Sequence, residues 1–179
     1  MYSIDSFLFK VFYEFGNIIG ADWFFVFFAK YLPYFIFIVF IYWILKEKDV
    51  ITRIYLSILF FLVEVLNRGI ITEAIRFFYN KPRPFVSLEI DSLFQHQASA
   101  AFPSGNTVFL ISLALIVFLI NKKWGWIFFC SAVLVGISRV ISGVHWPLDI
   151  LGGIIVSIIG FFVVYFWVFP KGKFVKNDK

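Results

Sequence analysis

Between Leu148 and Phe169 the only charged side chain is Asp149, and the run is long enough to cross a hydrocarbon core of about 30 Å. Such a stretch constrains a chain more tightly than any motif. Lipid offers the backbone no hydrogen bonds, so a single run of this kind must satisfy its own N–H and C=O groups as a helix. Four further apolar runs precede it. The first, Trp23 to Leu45, is interrupted by Lys30 and Pro33 and stops at Lys46-Glu47-Lys48-Asp49. The second, Ile51 to Phe78, would span about 40 Å, so its far end, with Arg76, should project beyond the apolar layer. The third follows Ser104 and ends at Asn121-Lys122-Lys123, and the fourth covers Trp124 to Ile141. Composition agrees: the chain is 61% hydrophobic, with 27 phenylalanines and a mean hydropathy of +0.91, more apolar material than a water-soluble domain of this size uses.

The expected fold is therefore all-α: a polytopic membrane helical bundle of about five transmembrane helices, forming one integral-membrane domain over residues 1–179. Residues 1–22 form an amphipathic N-terminal segment. Ile4, Phe7, Leu8, Val11, Phe12, Phe15, Ile18 and Ile19 fall at helical spacing, with Asp5, Ser6, Lys10, Glu14 and Asn17 largely opposite, as suits a helix lying in the interface. The charges there leave no clean apolar core for a cleavable signal. The single cysteine, Cys130, excludes an intramolecular disulfide.

The net charge of +5 raises the question of nucleic acid, but the basic residues sit at the ends of apolar runs, which is a mark of topology. Alternating five spans collects Lys46, Lys48, Arg53, Lys122, Lys123 and the tail at 170–179 on one face. By the positive-inside rule that face is cytoplasmic. The loop at 79–103 is then extracytoplasmic, in a multi-pass protein of the cell (inner) membrane.

Three stretches on that outer face carry chemistry. Ser138 to Asp149 holds Arg139, His145 and Asp149. Histidine can act as a nucleophile near neutral pH once a partner fixes its tautomer, and Asp149 is placed to do so if Pro147 opens a helix. RFFYNKPRPF contributes Arg76 and Arg83, planar cations suited to phosphate. Phe102-Pro103-Ser104-Gly105-Asn106-Thr107 places Ser104 and Gly105 where a helix begins, so that backbone amides and the helix dipole favour an anion, while Ser104 can equally cap the helix. No carboxylate or His/Cys cluster near these stretches suits a metal, and no cofactor is expected. Within the second span Glu64 and Arg68, four apart, read as a structural ion pair, and Glu73 and Arg76 are three apart. Gly152, Gly153, Ser157 and Gly160 read as a face for close helix packing.

A basic residue, six spacers and Arg-Pro, then Pro-Ser-Gly-His, then Ser-Arg, five spacers, His, three spacers and Asp form the signature of the type 2 phosphatidic acid phosphatase superfamily. This chain resembles that family across all three motifs, with Arg76 where lysine is usual and Asn106 where histidine is usual. The layout is most similar to the small bacterial undecaprenyl-diphosphatases, through PRPFV, the Leu-x-x-His element ending at His96, FPSGN and GVHWPLDILGG. The resemblance implies a metal-independent lipid phosphatase that dephosphorylates undecaprenyl diphosphate on the outer face. His145 would be the nucleophile, Asp149 its support, and Arg76, Arg83, Ser104, Gly105 and Arg139 the phosphate-binding groups. It also implies an acid at position 106, which an asparagine amide cannot supply. With every other motif position intact, the first reading is an introduced change in an active enzyme. Natural impairment and replacement by another group stand beside it, and His96 is the only other histidine. Phospholipid or lipid A phosphates are alternative substrates, and a lipid-phosphate-binding pseudoenzyme or a small-solute transporter are alternatives of another class.

Overall fold

The computed structural model describes residues 4–168, so the tail at 170–179 lies outside the described residues. All regular structure among them is helical: α1 (Ile4–Ile19), α2 (Asp22–Lys30), α3 (Leu32–Leu45), α4 (Val50–Glu64), a π-helical stretch (Val65–Thr72), α5 (Glu73–Phe78), α6 (Pro84–Ser87), α7 (Gly105–Phe118), α8 (Lys122–Ile141) and α9 (Pro147–Val168). Among the described residues, three helices are long and apolar enough to cross a membrane: Val50–Phe78, which runs unbroken from α4 through α5, then α8 and α9. The outer faces carry exposed Phe35, Ile38, Phe61, Ile155, Phe162 and Phe166, side chains that a lipid solvent covers and water would not.

Two of the five expected spans differ in form. The first is a pair of helices, α2 and α3, bent by 42° at Tyr31. Its cause is Pro33, which has no N–H to return to the carbonyl of Ala29 four residues back. That carbonyl accepts instead from Arg139 Nη1 of α8 at 3.0 Å. The third span, α7, is only 14 residues long, about 21 Å. It stands inside the bundle rather than against lipid: Val108, Leu110, Ile111, Leu113, Ala114, Ile116 and Val117 are all fully buried. Helices α3, α4, α8 and α9 and the π-helical stretch pack around it.

Small residues of α9 make room for specific neighbours. A side chain at Gly160 would collide with Asn67, at Gly152 with the Phe102 ring, and at Gly153 with Thr107 and the Ser104 carbonyl. Asn67, in the π-helical stretch, is fully buried and donates from Nδ2 to Ser112 Oγ at 3.1 Å and to the Ser157 carbonyl at 3.3 Å. The face expected for packing thus holds the π-helical stretch, α7 and α9 together.

Helix α1 exposes an apolar row of Ile4, Phe7, Val11, Phe15 and Ile18. Asp5 departs from the expected pattern. It does not sit with the polar face but turns inward, 5% exposed, accepting from the Leu148 amide at 3.0 Å and from Lys81 Nζ at 2.6 Å. Leu148 is in the first turn of α9, whose amides have no partner within the helix, and a carboxylate from another helix fills that need.

Candidate active site

After α8 the chain turns at Gly143, whose φ of +79° lies in the left-handed region open to glycine. Val144 and His145 then run back to Pro147, which opens α9 as its fixed φ favours. His145 is thereby buried, with Nδ1 3.2 Å from Asp149 Oδ2. The same oxygen accepts from the Trp146 amide at 2.8 Å, and Oδ1 accepts from Lys81 Nζ at 2.8 Å. Burial alone would lower the Lys81 amine, but Asp149 and then Asp5 outweigh it and hold the amine above its ordinary range. With a fixed cation on one oxygen, Asp149 acts as an acceptor, and the His145 proton belongs on Nδ1. The Nε2 lone pair then faces outward, where Arg83 Nη1 approaches to 3.2 Å. Burial, followed by Arg139 and Arg83, keeps the His145 imidazole well below its ordinary pKa, so it is neutral at pH 7.

Arg83 is strapped by its surroundings. It donates to the carbonyls of Val144 (2.8 Å), Ser99 (3.1 Å) and Ala100 (3.3 Å) and to Ser99 Oγ (3.2 Å). Burial and then Arg76 pull its guanidinium down to about 10, which leaves it charged at neutral pH. Arg76 donates to the Pro103 carbonyl at 3.0 Å and pairs with Glu73 at 3.1 Å. Ser104 occupies the N-cap position of α7 but makes no side-chain cap bond. Its amide donates to the Asp149 carbonyl at 3.0 Å, tying the start of α7 to α9. Gly105 follows, and a Cβ there would stand 3.3 Å from Arg76 Nη2.

Arg139 and Asn106 look into a cavity of about 710 Å³ beside this cluster, shared with His96, Arg68 and Glu64. Three buried groups of the ensemble have no partner among the described residues: Ser104 Oγ, Arg76 Nε and Arg139 Nε. A buried donor without an acceptor costs roughly 1–3 kcal/mol. Three of them around a neutral imidazole, with guanidinium groups converging from α5, the loop and α8, describe a place for an anion with several oxygens.

All eight residues singled out from the sequence lie in this cluster or on the cavity beside it, and other residues join them. Lys81, a spacer inside RFFYNKPRPF, is the cation on Asp149. Arg68 does not pair with Glu64 as its spacing suggests. Glu64 has both oxygens buried without a hydrogen-bond partner, while Arg68 Nη1 donates to the Gly105 carbonyl at 3.1 Å. The π-helical stretch begins between them, at Val65, and its wider turn moves Arg68 off the α-helical i,i+4 register. His96 reaches Arg139 Nη2 at 2.9 Å, and its ring centroid is 6.4 Å from that of His145. Burial and then Arg83 draw its pKa down to about 4, so at pH 7 the ring is neutral and is not an imidazolium acid.

Lys81→Met should be among the most damaging substitutions outside the motifs. It strands two buried carboxylates, Asp5 and Asp149, at a cost of about 3–5 kcal/mol. Thermal unfolding in detergent should show a large drop in Tm. A drop no larger than that of the exposed Lys122→Met would contradict this account of Lys81.

A family model described as the PAP2 superfamily matches residues 57–173. The chain is 33% identical over 152 residues to the bacitracin transport permease protein BcrC of Bacillus licheniformis, covering 83% of this chain and 72% of that protein. It is 37% identical over 90 residues to undecaprenyl-diphosphatase BcrC of Bacillus subtilis (strain 168), covering 50% of this chain and 47% of that protein. Among solved structures, Aquifex aeolicus LpxE matches with a TM-score of 0.70 at 28% identity, over 91% of this chain and 95% of that one. A PAP2 type phosphatidylglycerolphosphate phosphatase from Bacillus subtilis shares the fold, with a TM-score of 0.58 at 21% identity over 98% and 87% of the two chains.

Proposed function

The chain belongs to the PAP2 superfamily, and from that premise we propose that it removes the terminal phosphate of undecaprenyl diphosphate through a phosphohistidine on His145. The observation that carries the reading is the His145 imidazole, neutral, with Nδ1 fixed by Asp149 and Nε2 turned toward Arg83. Nε2 attacks the terminal phosphorus as the bond to the bridging oxygen breaks, and that oxygen keeps the electron pair and leaves with the lipid phosphate. Arg83 moves from Nε2 to the phosphoryl oxygens, joined by Arg76, Arg139, Ser104 and the Gly105 amide, since charge compensation dominates phosphoryl transfer. Water then attacks the phosphohistidine, the P–N electron pair returns to Nε2, and inorganic phosphate departs with the water's oxygen. Asp149 stabilises the imidazolium in between.

The relative named undecaprenyl-diphosphatase supports the choice of lipid. The test is phosphate release by the purified chain in detergent, from an isoprenyl diphosphate and from phosphatidic acid. Release from the diphosphate supports the reading, and release from phosphatidic acid alone rejects it. Asn106 favours a second reading, binding of a lipid phosphate without turnover. Tight binding with no release from either substrate, restored by no substitution at position 106, would select it.

In this reading the site opens on the outer face of a cell membrane, because the lysines and arginine at 46–53 and 122–123 mark the opposite ends of the helices as cytoplasmic. Ser87 and Lys122 are both exposed. Single cysteines there, in a Cys130→Ser background, should differ toward an impermeant thiol reagent applied to intact cells. Position 87 should label and position 122 should not; the reverse would invert the topology.

A further inference from the structure

We propose that Arg68 and Lys30 form a second phosphate seat, for the phosphate that stays on the lipid when a diphosphate is cleaved. The proposal rests on the diphosphatase reading above and assigns residues that lie outside all three motifs.

Both side chains line the 710 Å³ cavity, a volume within the usual range for a small-molecule site. Arg139 and Asn106 share it, and Arg139 connects through His96 to the reaction centre. Phe37, Phe60 and Phe109 pack against one another on another wall, with ring centroids 5.4–6.2 Å apart. The cavity therefore has the sequence of surfaces that a lipid diphosphate presents: a charged end, whose His96 ring lies 6.4 Å from that of His145, then an apolar stem.

The two cations are exposed, and neither is held in an ion pair among the described residues. Arg68 donates one hydrogen bond, from Nη1 to the Gly105 carbonyl, and its guanidinium lies 6.0 Å from the Phe109 ring centroid. Lys30 sits 5.5 Å from the Tyr31 ring centroid. Among the described residues, the ion pairs are Arg76–Glu73, Lys81–Asp5, Lys81–Asp149 and His145–Asp149, and neither cation takes part. Glu64 is the one carboxylate on the wall, against three cations, Lys30, Arg68 and Arg139. A phosphate bound only at His145 would leave Lys30 with no carboxylate within ion-pair distance, and Arg68 with only the field of the buried Glu64 carboxylate, to which it makes no hydrogen bond.

The chemistry links this seat to Asn106. When the terminal phosphorus passes to His145 Nε2, the bridging oxygen keeps the bonding pair and the departing lipid phosphate gains a negative charge. A histidine at position 106 would answer with a proton. Asn106 can only donate a hydrogen bond, so fixed cations supply the compensation instead, as planar guanidinium groups do for phosphate.

Binding of two non-hydrolysable probes to the chain as it stands tests the seat without turnover: farnesyl methylenediphosphonate and farnesyl phosphonate. The bisphosphonate should bind tighter by about 10- to 100-fold, the worth of one or two charge-assisted hydrogen bonds. Arg68→Gln should erase most of that advantage, Arg68→Lys should keep much of it, and Lys30→Gln should reduce it. If Arg68→Gln also loses the phosphonate, the fold has suffered, and Lys30→Gln, on another helix, carries the test. No advantage in the native chain, or a full advantage surviving in both charge-removing variants, overturns the seat. The diphosphatase reading is judged separately, by phosphate release from farnesyl diphosphate, so the two can fail independently.

Discussion

His145→Ala, placed in an Asn106→His background to start from the higher rate, should abolish phosphate release from an isoprenyl diphosphate, by roughly 10⁴-fold or more. Removing the proposed nucleophile should leave only positioning and charge stabilisation, because the second imidazole of the site is already engaged. His96 engages Arg139 through Nε2 and the Gln97 carbonyl through Nδ1 at 3.1 Å. Asp149→Asn should cost orders of magnitude too, since a neutral amide leaves Lys81 with Asp5 as its single carboxylate partner and weakens the preference for the Nδ1–H tautomer. The pH dependence follows in sign. The native imidazole titrates below its ordinary value near 6.5, so kcat/KM should stay level as pH falls through about 6.5 and decline only below it. For the unliganded protein the same depression means that His145 contributes stability above about pH 6.5 that is lost as the pH falls, because the unfolded chain takes the proton first. Near-normal release by the His145→Ala protein would remove His145 from the mechanism.

Much of this architecture is legible in the chain because membrane helices write themselves in long apolar runs. Proline at 33 marks the break in the first span, and Pro147 the start of the last. The partners of the freed groups are not legible. That Ala29 loses its acceptor duty to Pro33 and offers the carbonyl to Arg139 depends on a crossing of α2 and α8 that no local pattern states. The short α7 reads as an ordinary span because a buried apolar helix and a lipid-facing one share a composition. Asp5 and Lys81 escape for a similar reason. Asp5 obeys the helical periodicity of a surface helix, and Lys81 fills a spacer, yet tertiary packing brings Lys81 to Asp149 and Asp5 to Lys81. The Glu64–Arg68 pairing fails because the spacing rule assumes an α-helix, and a π-helical turn intervenes. The three motifs are the part most readily seen, since the chemistry of an anion site requires particular side chains wherever the backbone carries them.

Asn106→His should raise turnover of both a lipid diphosphate and a lipid monoester, and the monoester by the larger factor. The two substrates differ in what they expel. Cleaving a diphosphate releases a phosphate monoester, whose second pKa is about 6, so it departs readily at neutral pH without a proton. Cleaving a monoester expels an alkoxide, whose basicity is near that of hydroxide and far above that of a phosphate, so it departs readily only with a proton. General acid catalysis contributes about 10²–10⁴-fold where the leaving group needs the proton. Position 106 is the second residue of α7, on the wall that also carries Arg68 and Arg139, where a histidine would face the departing oxygen of the lipid. His96 does not make up the loss, since its low pKa keeps it neutral at pH 7, without the second, acidic proton of an imidazolium. The chain with Asn106 should therefore hydrolyse an isoprenyl diphosphate slowly and phosphatidic acid almost not at all. Measured as initial rates of phosphate release near pH 7, the substitution should gain roughly 10²–10⁴-fold on phosphatidic acid and distinctly less on the diphosphate. Equal factors would mean that residue 106 acts on both substrates through binding or positioning, and that protonating the leaving group is not what a histidine there supplies.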